Sequence, residues 1–317
     1  MNVTSSPSPW PFRLALATAA CAVPLVLFGG SVTTIGAGMA VDGWLIAEGH
    51  FLVLFPIESW FRDTATFVEH THRLFGVLVG LFAVATLLAA LRFDRRRRAR
   101  ALALLSLLAV GGQGAVGGLR VLEDSPRFAF LHGALAQAVL ALLCCTAVYL
   151  SPRWTGRRGE RALATANLRL AATWTTLAVY AQVVAGAWYR HALRPAATPE
   201  SAPRFLVHVV LAFVVVALVL SLARSLDQVG SAPARRLRNG LLWLLGIQVA
   251  LGLLALIGHR PGAVGPIEWT LSIAHVLGGG LLLFQAARAR MWASGADPGR
   301  SEPTVEGRYS ALEGRTA

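Results

Sequence analysis

Apolar residues run in eight continuous blocks broken by short polar connections, with cores at 12–29, 71–91, 101–119, 129–150, 168–189, 205–223, 240–257 and 267–287. About 20 apolar residues let a helix cross the hydrocarbon of a bilayer. The blocks are rich in Leu, Ala and Val and lack the alternation, over about ten residues, of a membrane β-barrel strand. The pattern predicts an all-α integral membrane protein with eight transmembrane helices.

Composition agrees. Of 317 residues, 55% are hydrophobic and 14% charged, with mean hydropathy +0.58, against about 25% charged in a soluble domain. Net charge is +13, and all 29 basic residues are Arg. In a soluble chain that balance would suggest nucleic acid, but here the positions of the arginines decide otherwise. Fifteen lie in the connections between spans two and three, four and five, and six and seven, against seven in the opposite connections. The positive-inside rule then puts the Arg-rich side and both termini in the cytoplasm, with the chain in the cytoplasmic (inner) membrane. The Arg95–Arg98 run has the composition of a nucleic-acid patch. A short link between two spans reads instead as a topology anchor, and no nucleic-acid partner is expected. The first apolar run has a thin basic flank, Arg13 alone, and reads as a span, not a cleaved signal. Cys21, Cys144 and Cys145 are expected as small buried apolar residues. The tail at 291–317 reads as disordered. One long outer connection, from about Gly30 to Val68, carries Trp44, Phe51, Phe55, Trp60 and Phe61, and is expected to pack at the interface and partly cover a site.

The histidines carry the candidate chemistry. His50, His191 and His259 fall in or beside outer connections, whereas His70, His72, His132, His208 and His275 lie in or at the start of spans. Ionisable groups in a membrane are costly and mark functional sites by default. His72, His132, His208 and His275 each occupy the outer part of an even-numbered span. His72 and His132 are 60 residues apart, His208 and His275 are 67, and across the halves the separations are 136 and 143. This spacing reads as a four-helix unit used twice, 1–150 and 151–290. An even number of spans per unit keeps both copies in one orientation, so the pseudo-two-fold axis would lie along the membrane normal. Pro126-Arg127-Phe128 before His132 and Pro203-Arg204-Phe205 before His208 support the repeat. So does Gln-x-x-x-Gly in spans three, five and seven: Gln113/Gly117, Gln182/Gly186 and Gln248/Gly252. The two residues of each motif share a helix face. The glycine serves either close helix packing or clearance for a flat ligand.

Two histidines from neighbouring helices in each half are what bis-histidine haem ligation needs, and four-helix bundles build such sites from facing helices. Zinc would want further N, S or O ligands nearby, and a proton relay would want intramembrane carboxylates; the spans offer little of either. Haem is the preferred reading. Glu69-His70-Thr71-His72-Arg73 opens span two. Glu69 meets His72 at i+3 and Arg73 at i+4, while His70 points away. Glu69 is either an ion-pair partner of Arg73, suited to a helix N-terminus, or a carboxylate placed for chemistry on a bound porphyrin. Arg127 and Arg204, a turn or so before a His, are either propionate partners or interface anchors.

The chain resembles the haem A synthase family of cytochrome oxidase assembly. The resemblance runs over roughly 12–288. It rests on Gly29-Gly30-Ser31-Val32-Thr33-Thr34 with Gly36-Ala37-Gly38-Met39, then Glu69-x-x-His72-Arg73. Gly112-Gln113-Gly114 with Gly117-Gly118 follow, and His132, His208 and His275 close the series. It implies oxidation of the C8 methyl of haem O to a formyl group through a hydroxymethyl intermediate. It also implies substrate haem at His72 and His132, a haem b cofactor at His208 and His275, and Glu69 as the carboxylate important for activity. Arg73, Arg127, Arg204, Gln113 and Gly117 are the further residues expected to line the haem sites. Implied partners are haem O, haem O synthase, a membrane electron donor and terminal oxidase assembly factors, with a homo-oligomer left open. Two features depart from the family: no Cys pair lies in an outer loop, and Asp42-Gly43-Trp44 stands where the family has Asp-Trp-Pro. Two other readings use the same ligands, a non-catalytic b-type cytochrome and a haem carrier.

Overall fold

A computed structural model of the chain describes residues 8–155, 165–192, 201–258 and 264–294. Among these residues lie eight helices long and apolar enough to cross a membrane, and the protein is an integral membrane protein. They are α1 (Trp10–Thr34), α2 (Thr64–Phe93), α3 (Arg97–Leu122), α4 (Pro126–Leu150), α5 (Ala166–Ala192), α6 (Ser201–Val229), α7 (Ala232–Gly258) and α8 (Pro266–Ser294). The shortest have 25 residues, a length of about 37 Å at 1.5 Å per residue, which exceeds the hydrocarbon core. Each expected core falls within one of them.

Burial is inverted relative to a soluble protein. Ala99, Ala103, Ala172, Ala234, Ala286 and Ala289 are fully buried, while Phe213, Trp243 and Ile257 are 72%, 74% and 79% exposed. Small residues let the backbones approach, and large apolar ones face outward where lipid would lie.

The contacts close two rings. α1 packs on α2, α2 on α3, α3 on α4 and α4 on α1; α5, α6, α7 and α8 repeat that circuit. The rings meet through α1 and α4 on one side and α5 and α8 on the other. At this seam Trp269 Nε1 donates to Ser31 Oγ at 2.8 Å, and Arg190 Nη2 donates to Gly30 O and Thr34 Oγ1, both at 2.5 Å.

Helix ends differ from the sequence expectation in three places. The long connection spans 35–63, not 30–68. α1 continues through Gly30 to Thr34, and α2 begins at Thr64, where the Asp63 side chain accepts from Thr66 N at 2.8 Å. Glu69 therefore lies in the second turn of α2, not at its N-terminus. α8 continues to Ser294; residues 295–317, with the expected tail, lie outside the described residues, as do His259, Arg194 and Arg260. The connection 35–63 folds as a hairpin pairing Ile46 with Phe51 and Ala47 with His50, then short helical turns at Leu52–Leu54 and Ile57–Trp60. Glu48 and Gly49, both at positive φ, make its tight turn, the geometry that favours glycine.

Candidate functional site: two histidine pairs and an outer strap

His72, His132, His208 and His275 all fall in the first three turns of α2, α4, α6 and α8, at one end of the bundle. Each ring is seated against a glycine of the preceding helix. A Cβ added to Gly29, Gly117, Gly186 or Gly252 would lie 2.7, 2.8, 2.9 or 3.0 Å from Cε1 of His72, His132, His208 or His275 respectively. Real Cβ atoms are essentially never found under 3.0 Å, so at Gly29, Gly117 and Gly186 a side chain would displace the ring, and at Gly252 it would crowd it. The clearance in Gln-x-x-x-Gly thus goes to an imidazole of the neighbouring helix.

The glutamines of the motif brace the same histidines. Nε2 of Gln113, Gln182 and Gln248 donates to the backbone carbonyls of His132, His208 and His275 at 2.7, 2.9 and 2.8 Å. The matching position in α1, four before Gly29, is Leu25, which has no such donor. The ring of His72 is instead anchored through Nδ1 to Leu25 O at 3.0 Å, as that of His132 is to Gln113 O at 3.1 Å. A carbonyl only accepts, so at His72 Nδ1 carries the proton and Nε2 keeps its lone pair, the form that binds a metal; at His132 the Gln113 amide nitrogen also lies 3.2 Å from Nδ1. In the other half the amide nitrogens of Gln182 and Gln248 lie 3.4 Å from Nε2 of His208 and His275. There the amide faces the Nε2 lone pair, and Nδ1 of His208 and His275 has no hydrogen-bond partner among the described residues.

The rings come together in pairs. His72 and His132 have centroids 6.1 Å apart with planes at 84°; His208 and His275 are 6.3 Å apart at 79°. Two imidazoles on opposite sides of one metal ion, each about 2 Å from it through nitrogen, have centroids about 6 Å apart. Both pairs match that spacing. Among the described residues no three His, Cys, Asp or Glu side chains form a metal cluster; each pair could supply two imidazole nitrogens to a metal.

A strap from the connection 35–63 lies over the first ring of helices. Glu69 Oε2 accepts from Ala40 N and Val41 N at 2.7 and 3.1 Å, and Oε1 accepts from Arg73 at 2.7 Å. Arg73 also donates to Gly43 O and Val41 O, both at 2.8 Å. The ion pair expected from i,i+4 spacing is present and buried, its side chains 8% and 4% exposed. The sequence did not reveal that both partners hold loop backbone. Arg62 adds bonds to Ala40 O and Glu48. On the α3 side, a Cβ on Gly118 would overlap the indole of Trp44, and one on Gly38 would overlap the guanidinium of Arg120. Gly43 is held at φ +81, and a Cβ there would overlap Ile46 O. The Asp42-Gly43-Trp44 segment is thus a fitted turn that sets Trp44 on α3. His70 is buried between Phe55 and Trp60, with ring centroids 4.5 and 5.3 Å away, outside the pairs.

Arg127 is exposed in the first turn of α4, and Arg204 lies over the Trp188 ring at 4.9 Å. His191 ends α5 against the first ring of helices: a Cβ on Gly133 would lie 3.2 Å from its Nε2, and the Phe130 ring is 6.4 Å away. Leu25, Gly29, Arg120 and His191 were not singled out by sequence for these roles. The spacing of Gln-x-x-x-Gly, laid on α1, picks out Leu25 and Gly29.

A family model described as cytochrome oxidase assembly protein matches residues 12–200. The match holds α1 to α5 with His72 and His132 and stops before His208, short of the 12–288 expected from the motifs. No curated protein matches the chain.

Proposed function

The chain belongs to the haem A synthase family of cytochrome oxidase assembly proteins, and from that premise we propose that it oxidises the C8 methyl of haem O to a formyl group through a hydroxymethyl intermediate. The observation that carries the reading is the matched spacing of the two histidine pairs, each ring seated on a glycine. His72 and His132 hold the substrate haem in the half the family model covers. His208 and His275, with the same spacing and the same glycine seats, hold haem b. A bound haem supplies redox chemistry at its iron. The recurrence of these contacts in the two rings supports two copies of one four-helix unit related by an axis along the membrane normal.

The protein's own part is placement. The bonds from Nδ1 of His72 and His132 to backbone carbonyls fix the ring orientation and present Nε2. The strap is tied to α2 through Glu69 and Arg73, on either side of His72 in the sequence. Glu69 and Arg73 position the strap, so Glu69 acts through loop placement as much as through its charge. The Arg-rich connections lie at the end of the bundle opposite the histidines, which supports a cytoplasmic location for them in the inner membrane. Haem O synthase as supplier, a membrane electron donor and terminal oxidase assembly factors are the partners this reading calls for.

The test is haem extraction after expression with a haem O source, with products identified by chromatography and mass. A formyl or hydroxymethyl haem absent from an empty-vector control is the expected result. Haem B or O alone at good occupancy would return the protein to a b-type cytochrome or a carrier.

A further inference from the structure

We propose that Arg120 is the carboxylate anchor of the His72–His132 site, taking a propionate of the porphyrin bound there. The proposal rests on the preceding reading that haem occupies this pair.

Arg120 sits in the last turn of α3, three residues beyond Gly117, the seat of His132. Residues at i and i+3 share a helix face, so Arg120 is on the side of α3 that carries the site. Its charge acts on His72, His132 and His191, and the carboxylates that act on it are Glu69 and Asp124. Neither is within ion-pair distance. The Arg120 guanidinium makes no hydrogen bond or ion pair among the described residues, although it is half-buried. The cations around it are engaged: Arg62 with Glu48, Arg73 with Glu69, and Arg190 with Gly30 and Thr34. A guanidinium with no partner can take an incoming carboxylate without giving up a bond it already makes.

Gly38 makes the placement specific. The guanidinium lies against the bare backbone of the strap, where a Cβ would overlap it. The strap thus holds the guanidinium close to the histidine pair. A planar guanidinium with two parallel N–H groups matches a carboxylate better than any other side chain does. Among the arginines at this end, Arg127 is exposed, and Arg204 is stacked on Trp188 in the second ring of helices.

The test uses the full-length protein purified without bound haem. It is titrated with haem and, separately, with haem whose two propionates are methyl esters, following Soret absorbance. The component belonging to this site is the part lost in His132→Ala. For the wild type, esterification is expected to weaken binding about tenfold or more, the worth of one charge-assisted hydrogen bond. Arg120→Gln is expected to lose a similar factor for the free acid and nothing further for the ester. Arg120→Lys should recover part of the loss, and Arg98→Gln, exposed at the opposite end of α3, should leave both affinities unchanged. Equal wild-type affinity for acid and ester overturns the proposal without any variant. Equal losses for acid and ester in Arg120→Gln overturn it as well, because they mark a packing role. Absence of any His132-dependent component in the wild type overturns the haem reading of this pair itself.

Discussion

Gly117 on α3 and His132 on α4 meet so closely that a Cβ on the glycine would lie 2.8 Å from Cε1 of the ring. Gly→Ala inside a helix stabilises it by about 1 kcal/mol when nothing is in the way, whereas overpacking costs about 1–3 kcal/mol. Gly117→Ala is therefore expected to displace the imidazole and weaken haem binding at the first pair about tenfold. Gly114→Ala, three residues earlier with nothing within 4 Å, should not. Haem titrations of the two variants check this. Equal affinities would show that the ring does not need the clearance.

Three of the four histidines have a glutamine amide on their backbone carbonyl, and His72 has Leu25 at that position. Removing a group that orients a metal-binding His typically costs 10–100-fold in affinity. Gln248→Leu is expected to speed haem loss from the second pair at least tenfold, measured by transfer to an excess of apomyoglobin. Leu25→Gln, which gives α1 the missing donor, should slow loss from the first pair. An unchanged rate in both would make the braces mere packing.

The eight helices were legible because a bilayer demands long apolar blocks and little in this chain interrupts them. Their ends were not. Thr64 and Thr66 are polar, so α2 seemed to start later than the turn that Asp63 caps. The four histidines were legible from spacing alone, since each repeats at one depth of an even span. Their partners were harder to see. Leu25 is an ordinary apolar residue whose backbone carbonyl matters, and a carbonyl leaves no mark in sequence. Arg120 read as one more charge of an outer connection, and only the fold turns it inward. Glu69 and Arg73 were legible as an i,i+4 pair, but their bonds to Ala40, Val41 and Gly43 join segments about thirty residues apart, which no local pattern encodes.

Asp63 lies outside the spanning segment and caps the helix that carries Glu69 and His72. Its carboxyl is held below the usual range, first by the backbone hydrogen bond from Thr66 and then by the Thr66 hydroxyl. A carboxyl depressed in the folded state contributes stability above its unfolded pKa and loses it as pH falls through the folded value. Asp63→Asn keeps an acceptor without the charge. It should lower the thermal midpoint slightly at pH 7, and the difference from the wild type should shrink as pH falls below the usual carboxyl range. A difference that persists undiminished in acid would assign the effect to shape, not ionisation.

Glu69 and Arg73 form a buried ion pair whose other hydrogen bonds go to the strap. Breaking a buried pair by removing one partner costs about 3–5 kcal/mol, because the other charge is left uncompensated. In Glu69→Gln either the oxygen keeps both backbone N–H groups and the N–H₂ is left facing Arg73, or the N–H₂ faces Ala40 N and Val41 N and both lose their acceptor. The strap should open while the helices stay folded. Hydrogen–deuterium exchange at the Ala40 and Val41 amides should rise by orders of magnitude, with helix α2 unchanged. Haem should still bind through His72 and His132, and the formyl product should disappear. Arg73→Gln should raise exchange at the same two amides, since Val41 and Gly43 lose their donor. If Glu69→Gln abolished product with exchange at Ala40 and Val41 unaltered, Glu69 would act on the porphyrin directly and not through the strap.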